Sequence, residues 1–278
     1  MLADIEPLLA RAGCRPRSFA WIEAHVAADI EFEADPAAAR SLLEGRLAGV
    51  DVIVQPAEMR AKRLLVADMD STMITVECLD ELADYAGIKP QIAAITERAM
   101  RGELDFAAAL DERVALLDGL PESAIEQCLD ERVRLMPGAR TLVRTMKARG
   151  GMSVLVSGGF TRFADPVAQA IGFDRVVANR LEIEGGTLTG RVEKPIVDAG
   201  TKLATLQGVA AELKFPPEAT LAVGDGANDL DMIRAAGLGV AYRAKPIVAA
   251  AAGARIDHGD LTALLYAKGI GRSEWIAE

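Results

Sequence analysis

The stretch Arg63-Leu64-Leu65-Val66-Ala67-Asp68-Met69-Asp70-Ser71-Thr72 constrains this chain more than any other. Its first half is apolar without alternation, the pattern of a strand covered on both faces of a parallel sheet. The run then stops at two aspartates with one residue between them. Carboxylates are costly at the end of a buried strand unless a cation compensates them. Residues i and i+2 of a strand project to the same side. Asp68 and Asp70 should therefore face one crevice, at the strand end where open α/β sheets bind ligands. Such a pair suits a metal site, acid–base chemistry, or both. It also suits a plain helix start, because Asp70, Ser71 and Thr72 are all good N-caps.

Composition narrows the choices. At 278 residues the prior is two domains. Apolar residues make up 51% and charged residues 26%, which fits a globular chain with a full core. The formal net charge of -10 disfavours a nucleic-acid partner, since phosphate backbones need basic surface. An anionic small substrate is compatible with that charge if a metal ion or a placed Lys or Arg supplies local positive charge. Cys14, Cys78 and Cys128 have no metal-ligand spacing and read as reduced, mostly buried thiols of a cytoplasmic protein. No apolar run reaches membrane-spanning length, so no membrane partner is expected. A monomer and a homodimer remain equally open.

Residues 1–60 read as a small α+β unit. Helices are expected over Leu2–Ala12 and from Asp35-Pro36 to about Ala48. Strands are expected at Ser18–Ile22, Val26–Phe32 and Val50–Val54. From residue 61 to 278 the chain reads as an α/β core. A whole βαβ crossover takes about 30 residues, but the stretch from Thr72 to Met152 is more than twice as long and helical almost throughout. This predicts a helical cap over residues 75–135, inserted directly after the two aspartates, where closure would exclude water from a ligand. Beyond Pro137, helices and strands alternate (Met152–Val156, Arg175–Ala178, Thr220–Val223, Gly239–Ala241), and Leu181–Gly190 reads as a hairpin with a Gly-Gly turn. The fold class is therefore a doubly wound, Rossmann-like, mostly parallel sheet with an inserted helical cap and a small N-terminal unit.

Three strand ends carry unusual polar residues: Asp68-Met69-Asp70, Ser157-Gly158-Gly159 and Gly224-Asp225-Gly226-Ala227-Asn228-Asp229. In strand order 3-2-1-4-5 they flank the topological switch point together. Asp68, Asp70 and Asp225 can offer oxygen ligands to a hard cation such as magnesium. Ser157 and the two glycines are expected to open a helix whose N–H groups suit a phosphate oxygen. Lys202 could neutralise both phosphate and carboxylate, although a lone helix lysine is usually solvated.

These motifs resemble the haloacid dehalogenase superfamily of phosphohydrolases and, within it, the phosphoserine phosphatase family, over about Leu64 to Ile256. The residues that carry the likeness are Asp68-Met69-Asp70-Ser71-Thr72, Glu77, Phe106 to Val114, Ser157-Gly158-Gly159-Phe160, the Asn179–Gly190 hairpin and Gly224 to Asp229. Residues 1–60 match poorly and look like a shortened or divergent form of the regulatory-type unit of relatives. The resemblance implies that Asp68 is the nucleophile, Asp70 the general acid and base, and Lys202 a holder of phosphoryl oxygens. It implies Mg2+ held by Asp68, Asp225 and the backbone carbonyl of Asp70, with Asp229 orienting metal waters. It further implies that Ser157, Gly158 and Asn228 contact phosphate, while Glu77 meets the substrate ammonium and Arg113 its carboxylate. The expected reaction is hydrolysis of O-phospho-L-serine, the last step of serine biosynthesis. A phosphotransferase or a phosphatase acting on another phosphomonoester, such as phosphohomoserine, is the alternative, and a ligand sensor with a dead site is a third reading.

Overall fold

The computed structural model describes residues 2–11, 13–33, 35–101 and 103–277. At the N-terminus, α1 (Leu2–Arg11) precedes β1 (Arg15–Glu23) and β2 (Ala27–Glu33), which pair antiparallel, and α2 (Pro36–Leu43) follows. The last residue of the first expected helix, Ala12, lies outside the described residues. Asp35 caps α2, its carboxylate accepting the Ala37 N–H at 2.9 Å, with Pro36 at the first helical position. The helix ends at Leu43, short of the expected Ala48, and Gly45 just beyond it has a φ of 70°, a left-handed backbone that terminates helices.

The strand expected over Val50–Val54 does not form. The alternating valines face a small cluster around Leu9, Cys14, Ala39 and Leu43, which gives them a strand-like pattern, but no second strand lies beside them. Instead the Asp51 carboxylate accepts N–H groups from Asp257, His258 and Gly259 at distances of 2.7–3.3 Å. Arg60 grips the Asp29 carboxylate through two nitrogens, at 2.5 and 2.7 Å, and donates to the carbonyls of Tyr266 and Ala267. The N-terminal residues are thereby fastened to the last turns of the chain.

The remainder is α/β. Strand β3 (Leu64–Ala67) is followed by four helices, α3 (Cys78–Tyr85), α4 (Lys89–Met100), α5 (Phe106–Ala115) and α6 (Ser123–Arg132). The two ends of this helical excursion meet, with Ile74 bridging Leu135 antiparallel and the Met136 N–H donating to the Met73 carbonyl at 2.9 Å. Then come α7 (Ala139–Ala148), β4 (Met152–Phe160), α8 (Thr161–Ile171), β5 (Arg175–Asn179), the hairpin β6 (Leu181–Glu184) and β7 (Thr187–Val192), α9 (Ala199–Glu212) and β8 (Thr220–Gly224). A short 3-10 turn leads to α10 (Leu230–Ala235), β9 (Leu238–Tyr242), α11 (Pro246–Ala251), β10 (Ala254–Ile256) and α12 (Ala263–Ala267). The last strand and last helix were not anticipated, since a three-residue strand leaves almost no periodicity to read. Gly185 and Gly186, at φ 58° and 82°, make the hairpin turn left-handed at both central positions.

All six core strands run parallel in the order β5-β4-β3-β8-β9-β10, the expected order with one strand added at the edge. Successive residues of the central strands sort to opposite layers. Leu65, Ala67, Leu155, Leu221 and Val223 enter one apolar cluster, whereas Leu64, Val66, Val154, Val156 and Ala222 enter the other. Helices cover both faces, which is why these strands read as unbroken apolar runs. Burying each Leu or Val in this way contributes roughly 1.5–3 kcal/mol relative to exposure.

Gly239 shows how tightly β9 meets α10, since a Cβ there would land on the carbonyl of Ile233. Gly239→Ala should therefore overpack backbone against backbone and cost about 1–3 kcal/mol or more. Thermal unfolding should register a lower Tm, and an unchanged Tm would show that the approach is not tight.

Candidate active site

The site forms where the sheet order reverses, at the carboxyl ends of β3, β4 and β8. The Asp68 N–H still continues the ladder, donating to the Val223 carbonyl at 3.0 Å. The chain then turns sharply. N–H groups of Thr72, Met73 and Ile74 all converge on the Met69 carbonyl, and Ser71 adopts a φ of 54°. This turn aims Asp68 and Asp70 into the same crevice, where Glu77, Phe106, Arg113, Ser157, Gly158, Asp225, Asn228 and Lys245 join them around a cavity of about 160 Å³. A larger cavity of about 260 Å³ lies between residues 54–56 and the β9 edge, but arginines are its only charged lining residues. We place the chemistry in the smaller one, which gathers the carboxylates.

Lys202 is fully buried rather than solvated, and its Nζ donates to Asp68 Oδ1 and Asp229 Oδ1, each at 2.6 Å. Burial alone would lower its pKa, but the charges of Asp68 and Asp229 outweigh burial and hold the ammonium protonated. Asp229 also accepts the Gly226 N–H at 3.0 Å through its other oxygen. A Cβ at Gly224 would collide with that carboxylate, so the G-D-G pattern keeps room for it.

Oxygens of Asp68, Asp225 and Asp229 lie within 4.8 Å of one another. A donor set of oxygens alone, at this spacing, suits a hard divalent cation. Both Asp229 oxygens are already engaged, so Asp68 and Asp225 are the freer ligands. Asp225 accepts from Thr72 Oγ1 at 3.2 Å, and burial, followed by the charge of Glu77, raises its pKa to about 6. The Asp70 carboxylate lies outside the cluster. Burial, then the charge of Glu77, pushes it up to about 7, opposed by contact with Cys78.

The Ser157 segment differs from expectation. β4 runs on through both glycines to Phe160, with a register irregularity after Ser157, and the helix starts only at Thr161. The Ser157-Gly158-Gly159 segment is thus a bulged strand end. Ser157 Oγ accepts the Gly159 N–H at 2.9 Å, and a Cβ on Gly159 would crowd Asp70 Oδ2. Asn179 was not singled out beforehand. Its buried side chain donates to the Gly158 carbonyl at 2.8 Å and accepts the Val197 N–H at 2.7 Å, so it fixes the bulge.

The helical insertion supplies the crevice's opposite wall. Ser71 Oγ donates to Glu77 Oε1 at 2.6 Å. Arg113 donates from Nε to the Ala109 carbonyl but has no ion pair among the described residues, although burial lowers its pKa. Phe106 reaches across toward Gly158. Among the described residues no helix is long and apolar enough to cross a membrane.

Comparison with known proteins agrees with this geometry. The family model for haloacid dehalogenase-like hydrolases matches residues 65–234. A phosphoserine phosphatase of Mycobacterium tuberculosis is 48% identical over 227 residues, 81% of this chain and 55% of that protein. One from Idiomarina loihiensis is 47% identical over 202 residues, 73% of this chain and 91% of that protein. The unliganded crystal structure of a probable phosphoserine phosphatase from Vibrio cholerae superposes with a TM-score of 0.76 at 35% identity, covering 96% of this chain and 83% of that one. The chain spans 55–64% of the length of three of the curated relatives it matches. With the sheet order, the paired aspartates and the buried lysine in place, the chain belongs to the haloacid dehalogenase-like hydrolase family.

Proposed function

We propose that this chain hydrolyses the phosphate monoester of O-phosphoserine through an aspartyl-phosphate on Asp68. One observation carries the reading: two carboxylates leave one strand end into different surroundings. Asp68 is clasped by the Lys202 ammonium at 2.6 Å, although burial and then the charge of Asp229 raise its pKa, whereas Asp70 makes no hydrogen bond to that lysine and burial, then the charge of Glu77, pushes it up to about 7. A carboxyl of that pKa can give a proton and take it back beside an oxygen held in place to attack. A relative at 47% identity, 91% of which this chain covers, carries the name phosphoserine phosphatase, which supports the substrate.

An Asp68 oxygen attacks phosphorus, and the bond from phosphorus to the serine oxygen breaks as Asp70 gives that oxygen its proton. Asp70, now ionised, takes a proton from a water that attacks the acyl phosphate. Inorganic phosphate leaves and Asp68 is regenerated. Ser157, Gly158, Asn228 and Lys202 line the phosphoryl position, where donors offset the charge of the transferring group. Asp68, Asp225 and the Asp70 carbonyl would hold Mg2+, with Asp229 behind them. The ion would supply positive charge that lets an anionic nucleophile approach an anionic ester. Residues 75–135 act as the cap, in which Glu77 takes the substrate ammonium and Arg113 its carboxylate.

Phosphate release from small phosphomonoesters with magnesium tests the reading, and a chain that turns over none of them, phosphoserine included, is not a phosphatase of this kind. Asp68→Asn should abolish steady-state turnover with the fold intact by circular dichroism, and substantial residual activity would exclude a covalent role. Asp70→Asn should slow turnover ~10²–10⁴-fold.

Substrate choice is read separately. Arg113 is half-buried, so its charged hydrogen bond to a carboxylate is worth about 1.5–3 kcal/mol, roughly 10–100-fold. Wild-type protein should prefer phosphoserine over phosphoethanolamine by about that factor, and Arg113→Ala should erase the preference. An equal loss for both esters would make Arg113 structural.

A further inference from the structure

We propose that Lys245 is the residue that draws the phosphate group into the crevice and sets the affinity for substrate phosphate and for the inorganic phosphate released. The proposal rests on the phosphatase reading, and it concerns a residue that neither the motifs nor the chemistry above brought in.

The crevice is acidic where it must receive an anion. Asp68, Asp70, Glu77 and Asp225 line it, against two lining cations among the described residues, Arg113 and Lys245. Lys202 lies behind them, fully buried and bound to two carboxylates, so it can meet a phosphoryl group only once that group is seated against Asp68. Arg113 stands on the opposite, insertion side of the crevice, suited to the far end of the substrate. Lys245 is therefore the lining cation on the Asp225 side of the crevice, opposite the insertion, whose ammonium is uncommitted.

Its surroundings fit that task. The backbone of Lys245 is tied down: its N–H donates to the Asp225 carbonyl at 3.3 Å, and its own carbonyl accepts from Val248 and Ala249 at 2.9 and 3.0 Å. Its side chain is exposed, and the ammonium makes no hydrogen bond or ion pair among the described residues. The ammonium still lies near enough to Asp225 for its charge to favour that carboxylate's ionised form. A surface lysine beside acidic groups would ordinarily close onto one of them. Here a fixed base and an uncommitted head place a mobile positive charge at the mouth of a cleft, the arrangement that raises the local concentration of an anion and its rate of entry. A lysine suits a ligand that must leave again, because an ammonium on a flexible stem makes a point contact and not the rigid two-pronged grip of arginine.

The test compares wild type, Lys245→Ala and Lys245→Arg with magnesium present. For both phosphoserine and an aryl phosphate, Lys245→Ala should raise KM about 5–10-fold, with kcat changed less than KM and a flatter dependence of kcat/KM on ionic strength. Lys245→Arg should restore most of the loss, because the charge is kept. Calorimetric titration with inorganic phosphate, which needs no turnover, should show the same 5–10-fold weakening in Lys245→Ala. Unchanged KM and phosphate affinity would overturn the proposal. So would a fall in kcat at constant KM, or a Lys245→Arg variant as impaired as Lys245→Ala. If no ester is hydrolysed by wild type, the phosphatase reading fails, and the phosphate titration alone still decides the role of Lys245.

Discussion

Everything in this molecule's crevice depends on one buried ammonium. Asp68 at the end of β3 and Asp225 and Asp229 just beyond β8 bring oxygens within 4.8 Å of one another. Three like charges so placed in a low-dielectric interior would protonate or drive the loops apart. Lys202 binds two of them, Asp68 and Asp229, at 2.6 Å each and so lets both point the same way. The cost of burying four charged groups is high, and such clusters are not generally sources of net stability. What the clasp supplies is orientation, holding an Asp68 oxygen in place where the strand ends.

The sheet was legible because its chemistry and its architecture share residues. The apolar run into Asp68-Met69-Asp70, the run into Ser157-Gly158-Gly159 and the run into Gly224-Asp225-Gly226 each mark a strand and a strand end at once. Their meeting point follows from parallel winding. The length between Thr72 and Met152 likewise has no economical use in a crossover, so an excursion of helices was foreseeable.

What was not legible depends on partners far away in the chain. Val50–Val54 carries a strand's alternation, but its backbone neighbours are decided by Asp51 reaching residues 257–259. The burial of Lys202 is invisible in a helix whose other residues are mixed. The part played by Asn179 exists only because β5 and the loop before α9 flank the Gly158 bulge. Ser157-Gly158-Gly159 was misread as a helix start because glycine after serine suits a cap as well as it suits a bulged strand.

The bridge between Ile74 and Leu135 has a mechanical consequence. The two segments leading to and from the helical insertion are not separate tethers but a short two-stranded ribbon, stitched on one side by Thr75 to Arg134 and on the other by Met136 to Met73. The insertion is moored a second time, where Pro121 bridges Thr187 and the Gly119 and Glu122 N–H groups donate to the Leu188 and Gly186 carbonyls of the β6–β7 hairpin. Two moorings at opposite ends make it a braced wall, so Glu77 and Arg113 keep a fixed spacing from each other and from the strand ends they face.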